Sequence, residues 1–189
     1  MKKILFLFLA ACFFFSCEKE TIVIPQQHAG RTVLAFFWAD NSLNSSLRNN
    51  IQTMMQGLQA MKDSAALLVY WDGEASDISW PEPCIVEYVT NGQGGINSLS
   101  KGTIDAMMAD KNTSIYDLIG IGNIRKKYPP QTSTEKTVMQ TVIGDMMSAY
   151  PSESYGIIFG SHGSGWLPTI TGTRSIGQDG GRYSSDGST

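Results

Sequence analysis

Cysteine and histidine are scarce in this sequence: 3 cysteines and 2 histidines occur among 189 residues. Cys12 and Cys17 lie within or directly after an N-terminal apolar run, so Cys84 is the one cysteine in the remainder of the chain. A single cysteine excludes an intrachain disulfide there. His28 precedes the predicted folded part and His162 lies far downstream, which argues against a metal site built from two histidines.

Concentrated positive charge is also lacking. The chain has 14 lysines and arginines against 17 acids, a net charge of −3, and no basic stripe indicates a nucleic-acid partner. The basic cluster Arg125 to Lys127 is typical of a solvated helix end. The residues around Ser161 do not form Gly-x-Ser-x-Gly, and no glycine run ends as a phosphate loop does. With 42% hydrophobic residues, the chain can bury the core of one domain.

The N-terminus has the features of a signal peptide. Two lysines precede an apolar run from Ile4 to Phe15, which has the length of a signal-peptide core. Ser16 directly before Cys17 resembles a bacterial lipobox, although Phe15 is bulkier than the usual residue there. Residues 1–16 are therefore predicted to be a lipoprotein signal peptide, and Cys17 a lipid anchor to the membrane of the bacterial cell envelope. The alternative is an ordinary secretion signal that is cleaved elsewhere.

The pattern after Cys17 predicts an α/β fold. Residues 17–31 form a polar tether, and the folded part is predicted over 32–189. Apolar runs at 32–38, 65–71 and 155–159 are typical of strands buried on both faces of a mostly parallel sheet. Apolar side chains at helical spacing predict an amphipathic helix between the first two runs: Leu47, Ile51, Met54, Met55, Leu58 and Met61. Strand, helix and strand then make a right-handed βαβ unit.

The remaining segments are less regular. Cys84 to Val89 predicts a shorter, peripheral strand, and residues 97–130 show only weak helical pattern. Ser133 or Thr134 is predicted to cap a helix that runs to about Tyr150.

The most informative segment is the strand at 155–159, which runs directly into Gly160, Ser161, His162 and Gly163. Open α/β sheets build their sites at the carboxyl ends of parallel strands. An imidazole titrates near neutral pH, which suits proton transfer, and the Gly163 amide can donate to a developing oxyanion. The residues alone leave open that His162 is a structural histidine in a turn.

Three stretches together resemble the clostripain family of cysteine endopeptidases. They are Thr-Val-Leu-Ala-Phe-Phe-Trp-Ala-Asp-Asn-Ser-Leu at 32–43, Tyr-Gly-Ile-Ile-Phe-Gly-Ser-His-Gly-Ser-Gly-Trp at 155–166, and Thr-Arg-Ser-Ile-Gly-Gln-Asp at 173–179. The His-Gly-Ser-Gly-Trp part is the most specific, and the Ala-Asp-Asn-Ser-Leu turn supports it. The resemblance implies the caspase-like fold, a three-layer sandwich around a mostly parallel sheet, incomplete at the C-terminus.

The resemblance also implies a reaction and its residues. A family member hydrolyses peptide bonds of a protein or peptide substrate after Arg or Lys. The catalytic histidine of the family maps onto His162, and the oxyanion amide maps onto Gly163. The family nucleophile is a cysteine in an Asp-Ala-Cys-like motif several tens of residues downstream, and no counterpart occurs before Thr189. Cys84 precedes the histidine and is expected to be a small buried apolar side chain.

A chain that stops at Thr189 ends before that cysteine and the strand that carries it. Strand 155–159 then becomes a sheet edge with unpaired backbone groups. We expect the chain alone to be inactive and poorly soluble or marginally folded. It would be a fragment, a truncated product, or one chain of a two-chain enzyme whose second chain or downstream segment carries the cysteine.

Two other functions stay open. One is a non-catalytic, degenerate surface lipoprotein used for binding, and the other is an unrelated α/β hydrolase or binding lipoprotein. A Cys–His dyad requires no cofactor, but the resemblance implies that calcium is needed in many family members. Asp40, Asp72 and Asp179 are acids near strand ends, and none of them is assigned as a calcium ligand.

Overall fold

The computed structural model describes residues 29–162. Its five strands form one sheet in the order β4-β3-β2-β1-β5, in which β1 runs parallel to β2 and β5 while β3 is antiparallel to β2 and β4. The elements in chain order are β1 (Ala29–Trp38), α1 (Asn44–Ala60), β2 (Ala65–Asp72), β3 (Cys84–Thr90), α2 (Lys101–Ala109), α3 (Ile115–Ile119), β4 (Asn123–Lys127), α4 (Lys136–Ala149) and β5 (Ser152–Gly160).

Strand β1 carries hydrophobic side chains to both faces of the sheet, because successive side chains of a strand point in opposite directions. Phe37 belongs to a core cluster with Ile51 and Met55 of α1. Phe36 belongs to a second cluster, with Val142 and Met146 of α4. Helices therefore cover both faces, which confirms the predicted three-layer α/β sandwich. Its parallel part is β2, β1 and β5, and the antiparallel strands β3 and β4 extend it.

Helix α1 has the predicted amphipathic face, on which Leu47, Ile51, Met55 and Leu58 are buried. The same side of the helix also buries Arg48, which is 1% exposed. The hydrophobic spacing predicted the apolar members of this face and not the arginine.

Strand β3 is not peripheral, contrary to the prediction. It lies between β2 and β4, and its side chains are buried except at Val89, which is half-buried. An apolar run of this length fits a strand covered on both faces. The outer position belongs to β4, whose sequence has no apolar run that would reveal it.

The basic cluster at 125–127 lies on this edge strand, so the prediction of a solvated helix end is wrong. Charged side chains on an edge strand discourage pairing with another chain. Each base has an acidic partner: Arg125 Nε lies 2.9 Å from Glu87 Oε2, Lys126 Nζ 2.6 Å from Asp145 Oδ2, and Lys127 Nζ 3.0 Å from Glu82 Oε2.

Two predicted boundaries also differ from the structure. Helix α4 begins at Lys136 without a side-chain cap, because the Ser133 hydroxyl is buried and hydrogen-bonds to Tyr70 and Asp72 of β2. Strand β1 begins at Ala29, inside the predicted tether, where it pairs with Ser152 of β5.

Strand β5 contains the predicted third run and pairs with β1. Within residues 29–162 it lies at the second edge of the sheet, so it is not covered on both faces as its apolar run predicted. Four of its large hydrophobic side chains are exposed on both faces: Tyr155 at 37%, Ile157 at 46%, Ile158 at 41% and Phe159 at 43%.

Two isoleucines test the core. Ile51 is 0% exposed and Ile78 is 85% exposed. We expect Ile51→Ala to lower the free energy of unfolding by about 2–5 kcal/mol, since it removes buried methyl groups and leaves a cavity. Ile78→Ala is the control and should change stability by less than about 0.5 kcal/mol. Urea unfolding of the full chain measures both, and equal effects would contradict this packing.

Candidate active site

The candidate site lies at the edge of the sheet where β1, β2 and β5 all end. Trp38 at the end of β1 pairs with Asp72 of β2, and Phe37 pairs with Gly160 of β5. The turn that follows β1 and the segment that follows β5 therefore meet at one edge. His162 comes directly after this end of β5.

Gly160 allows β5 to approach helix α1 closely before the histidine. A Cβ atom at this position would lie 2.6 Å from Cδ1 of Phe37 and 2.8 Å from Cδ2 of Leu47. These distances are shorter than ordinary carbon contacts, so a larger residue would displace the strand end that carries His162.

His162 makes a side-chain hydrogen bond to the turn after β1. Its Nε2 lies 2.8 Å from Oγ of Ser42, although the two residues are 120 positions apart in the sequence. Either atom can be the donor, depending on the imidazole tautomer. The sequence predicted a turn at this position but did not indicate Ser42 as a partner of His162. The pair could have been inferred from strand order, because Ser42 follows β1, the parallel neighbour of β5.

The turn at 39–44 is held by its own asparagines. Asn41 Nδ2 donates to the Trp38 carbonyl at 2.7 Å, and the Leu43 amide donates to Asn41 Oδ1 at 2.9 Å. Asn44 Nδ2 donates to the Ala39 carbonyl at 3.1 Å. Short-range side-chain bonds of this kind replace helix or strand pairing and fix a turn. They place Ser42 at a defined position beside the histidine.

A buried cation, Arg48 of α1, lies behind this turn. Its Nε donates to Asn44 Oδ1 at 2.9 Å, and its Nη2 forms an ion pair with Asp77 Oδ2. The guanidinium carbon lies 4.6 Å from the Trp71 ring centroid and 4.6 Å from that of Tyr116. No pattern in the sequence indicates this cluster, because a single arginine on a helix is usually solvated.

A cavity of about 390 Å³ opens between the turn at 39–44 and the loop that follows β2, and its lining includes Ser42, Arg48, Glu74 and Tyr116. Because Ser42 also contacts His162, the cavity is next to the histidine. Both charge signs and hydroxyl groups are present, so the lining can hydrogen-bond a polar ligand.

Cys84 does not meet His162. It begins β3, 1% exposed, in the core cluster of Trp71 and Trp80. Strands β2 and β1 separate β3 from β5, so three strand spacings put about 14 Å between the strand of Cys84 and the strand that leads to His162. Burial raises the pKa of the Cys84 thiol to about 12, against a smaller lowering by Lys127. The expectation of a small buried apolar side chain agrees with this position.

The other predicted site residues are placed as follows. Gly163, Cys17 and Asp179 lie outside the described residues. Asp72 is buried and accepts a hydrogen bond from Ser133, whereas Asp40 is half-buried. Among residues 29–162, no group of three or more His, Cys, Asp and Glu side chains could hold a metal ion.

No helix within residues 29–162 is long and apolar enough to cross a membrane.

A three-layer α/β sandwich with a histidine at the carboxyl end of a strand parallel to the central one defines the class: a caspase-like domain. The chain belongs to the clostripain family, whose sequence profile matches residues 35–185.

Solved structures of cysteine proteases resemble the chain. A B. fragilis cysteine protease is 27% identical, with a TM-score of 0.51 over 77% of this chain and 98% of that one. An inactive zymogen C11 protease from Parabacteroides distasonis is 24% identical, with a TM-score of 0.53 over 79% of this chain and 35% of that one. A secreted C11 cysteine protease from Bacteroides thetaiotaomicron, in complex with an irreversible peptide inhibitor, is 26% identical, with a TM-score of 0.49.

The matches differ in length. This chain spans nearly all of the B. fragilis chain but only 35% of the zymogen and 31% of the secreted protease. The match to the secreted protease covers 75% of this chain. No curated protein matches the chain.

The burial of Cys84 has a chemical consequence. In a chain with Cys12→Ser and Cys17→Ser, we expect a maleimide to label native Cys84 at least about 1000-fold more slowly than the urea-unfolded chain, because little thiolate forms at pH 8. Ile78→Cys in a Cys84→Ala background is the exposed control and should react rapidly. Fast labelling of native Cys84 would contradict its burial and would show that the thiol is accessible to react as a nucleophile.

Proposed function

We propose that this chain is the N-terminal portion of a clostripain-like cysteine endopeptidase that carries the catalytic histidine, His162, and lacks the nucleophilic cysteine. The hydrogen bond between Ser42 and His162, at the strand ends of a clostripain-family domain, carries this proposal. In the complete enzyme a thiolate attacks the scissile carbonyl carbon. His162 then gives its proton to the leaving amine.

We assign to His162 the tautomer in which Nε2 carries the proton. When Nε2 carries the proton and donates to Ser42 Oγ, Nδ1 keeps a lone pair for the proton of a thiol. Among residues 29–162, Nδ1 of His162 has no hydrogen-bond partner, so that nitrogen is the one we assign to the nucleophile. The Gly163 amide would donate to the oxyanion.

The exposed edge of β5 supports a nucleophile supplied from elsewhere. Both faces of β5 present hydrophobic side chains, including Ile157 and Ile158, and its outer backbone is unpaired within the described part of the chain. An adjacent strand from a downstream segment or a second chain would cover it and end beside His162. The B. fragilis chain, matched over 98% of its length, is similarly short.

Further properties rest on the resemblance and the N-terminal sequence. They are cleavage after Arg or Lys, the calcium requirement of many family members, and a lipid anchor at Cys17 after removal of residues 1–16. The anchor would hold the enzyme at the cell envelope, where its substrates are proteins or peptides.

A degenerate lipoprotein used for binding is the second candidate. The observation that favours it is the position of Cys84, which is buried on β3, three strand spacings or about 14 Å from β5. Under this function the cavity beside Ser42 would bind a peptide without cleaving it.

The first test uses the 189-residue chain alone on Arg- and Lys-containing peptides. We expect no turnover above that of a His162→Ala control, because half of the dyad cannot form an acyl-enzyme. Clear turnover that is lost in His162→Ala but kept in Cys84→Ala would overturn this account of the nucleophile.

The second test follows the reading frame beyond Thr189. We expect an apolar strand that ends in an Asp-Ala-Cys-like motif. In that longer product, His162→Ala should lower kcat/KM by about 10²–10⁴-fold, the usual contribution of a general acid or base. Cys84→Ala is the matched control and should leave kcat/KM unchanged. A stop codon with no such segment would favour the binding lipoprotein, and unchanged activity in His162→Ala would refute the assigned histidine.

A further inference from the structure

Arg48 has an environment that stabilises a cation in a fixed orientation. Its side chain is 1% exposed, and the side chain of its partner Asp77 is 2% exposed. The guanidinium carbon lies within 4.6 Å of the Trp71 and Tyr116 ring centroids and 5.5 Å from that of Trp80. Aromatic faces attract a planar cation above them, so the rings fix the plane of the group.

The first contact of this cation controls the turn after β1. Arg48 Nε donates to Asn44 Oδ1, and Asn44 Nδ2 donates to the Ala39 carbonyl at the other end of the turn. Ser42 lies between these two residues and contacts His162. Displacement of Asn44 would therefore move Ser42 Oγ relative to the imidazole.

The second contact controls the loop after β2. Asp77 Oδ1 accepts from the amides of Ser79 at 2.9 Å and Trp80 at 3.2 Å. Asp77 Oδ2 accepts from Trp71 Nε1 at 3.3 Å in addition to the guanidinium. One carboxylate thus organises the loop and ties it to α1 through Arg48.

A contribution to folding stability does not by itself explain why a charged pair is buried at this position. Removing two charges from water costs several kcal/mol per ion, and apolar replacements of similar volume are often as stable or more stable. Arg48 Nη1 also has no hydrogen-bond partner among the described residues, which adds a desolvation cost. What the pair provides is orientation: a planar guanidinium reaches both loops at once, which an apolar side chain cannot do.

We propose that Arg48 is a positioning residue that fixes the turn at 39–44 against the loop at 73–80, so that Ser42 Oγ meets His162 Nε2 in one geometry. The consequence for catalysis rests on the proposed function of His162. The positional effect itself does not, because it concerns a contact present in this chain.

The full chain allows a direct spectroscopic test, since it has only 2 histidines. In a His28→Gln background, ¹⁵N signals of the His162 ring at pH 8 report the proton on each nitrogen. We expect one tautomer to predominate, and Ser42→Ala to move both shifts toward those of free imidazole. Arg48→Lys should move them in the same direction, since an ammonium cannot reach Asn44 and Asp77 together.

Arg48→Met keeps the experiment decisive if Arg48→Lys unfolds, because it preserves apolar volume without a charge. It is combined with Asp77→Asn so that no unpaired carboxylate is buried. Thermal melts establish folding, and the His162 shifts should again follow Ser42→Ala. Arg125→Lys, which perturbs the ion pair with Glu87 on β3, is the control and should leave these signals unchanged.

Wild-type His162 shifts in folded Arg48→Met/Asp77→Asn would overturn the positioning role. So would an equal change in Arg125→Lys, since that result would indicate a general loss of order. Neither outcome depends on peptidase activity. Failure of the proposed function is detected separately, by unchanged kcat/KM in His162→Ala of the cysteine-bearing product.

Discussion

The parallel pairing of β1 with strands on both of its sides is the constraint on which the rest of the structure depends. Parallel neighbours end at the same edge, so the segments that follow β1, β2 and β5 are gathered there. Ser42 and His162 become neighbours through this pairing. The loop that carries Asp77 is brought to the same edge, where Arg48 joins it to the turn. The candidate site therefore depends on strand order, which brings together segments that are distant in the sequence.

The two edges of the sheet are treated differently. Edge strand β4 has only five residues, and its three basic side chains are paired with acids, which is a common protection against association. Edge strand β5 has nine residues and exposes hydrophobic side chains on both faces. Within residues 29–162, the β4 edge is therefore suited to solvent, whereas the β5 edge is suited to pairing with a further strand. The histidine lies at the end of the second of these edges, beside which we place the nucleophile.

The strands and helix with long apolar patterns could be predicted from the sequence, and the others could not. The apolar runs that became β1, β2 and β5 are long enough to be recognised in the sequence, as is the apolar face of α1 around Ile51. Strand β4 was not predicted, because a short charged edge strand has no apolar pattern. Strand β3 was predicted to be peripheral because β4, which lies outside it, was not recognised. The prediction of Ser133 as a helix cap was wrong because its hydroxyl hydrogen-bonds to Tyr70 and Asp72, which are distant in sequence.

The sequence by itself determined the α/β class through hydrophobic periodicity. Its resemblance over three stretches identified the family, which the profile match confirms, and made His162 the candidate residue. Only the tertiary structure decided what His162 contacts and how far Cys84 lies from it. Ser42 is 120 positions away in the chain, and its hydrogen bond exists because β1 and β5 pair. Cys84 is excluded from the site because β3 lies beyond β2 and β1 in the sheet. Arg48 acquires a role through loops that meet only after the chain has folded, where burial turns an ordinary helix arginine into a fixed cation.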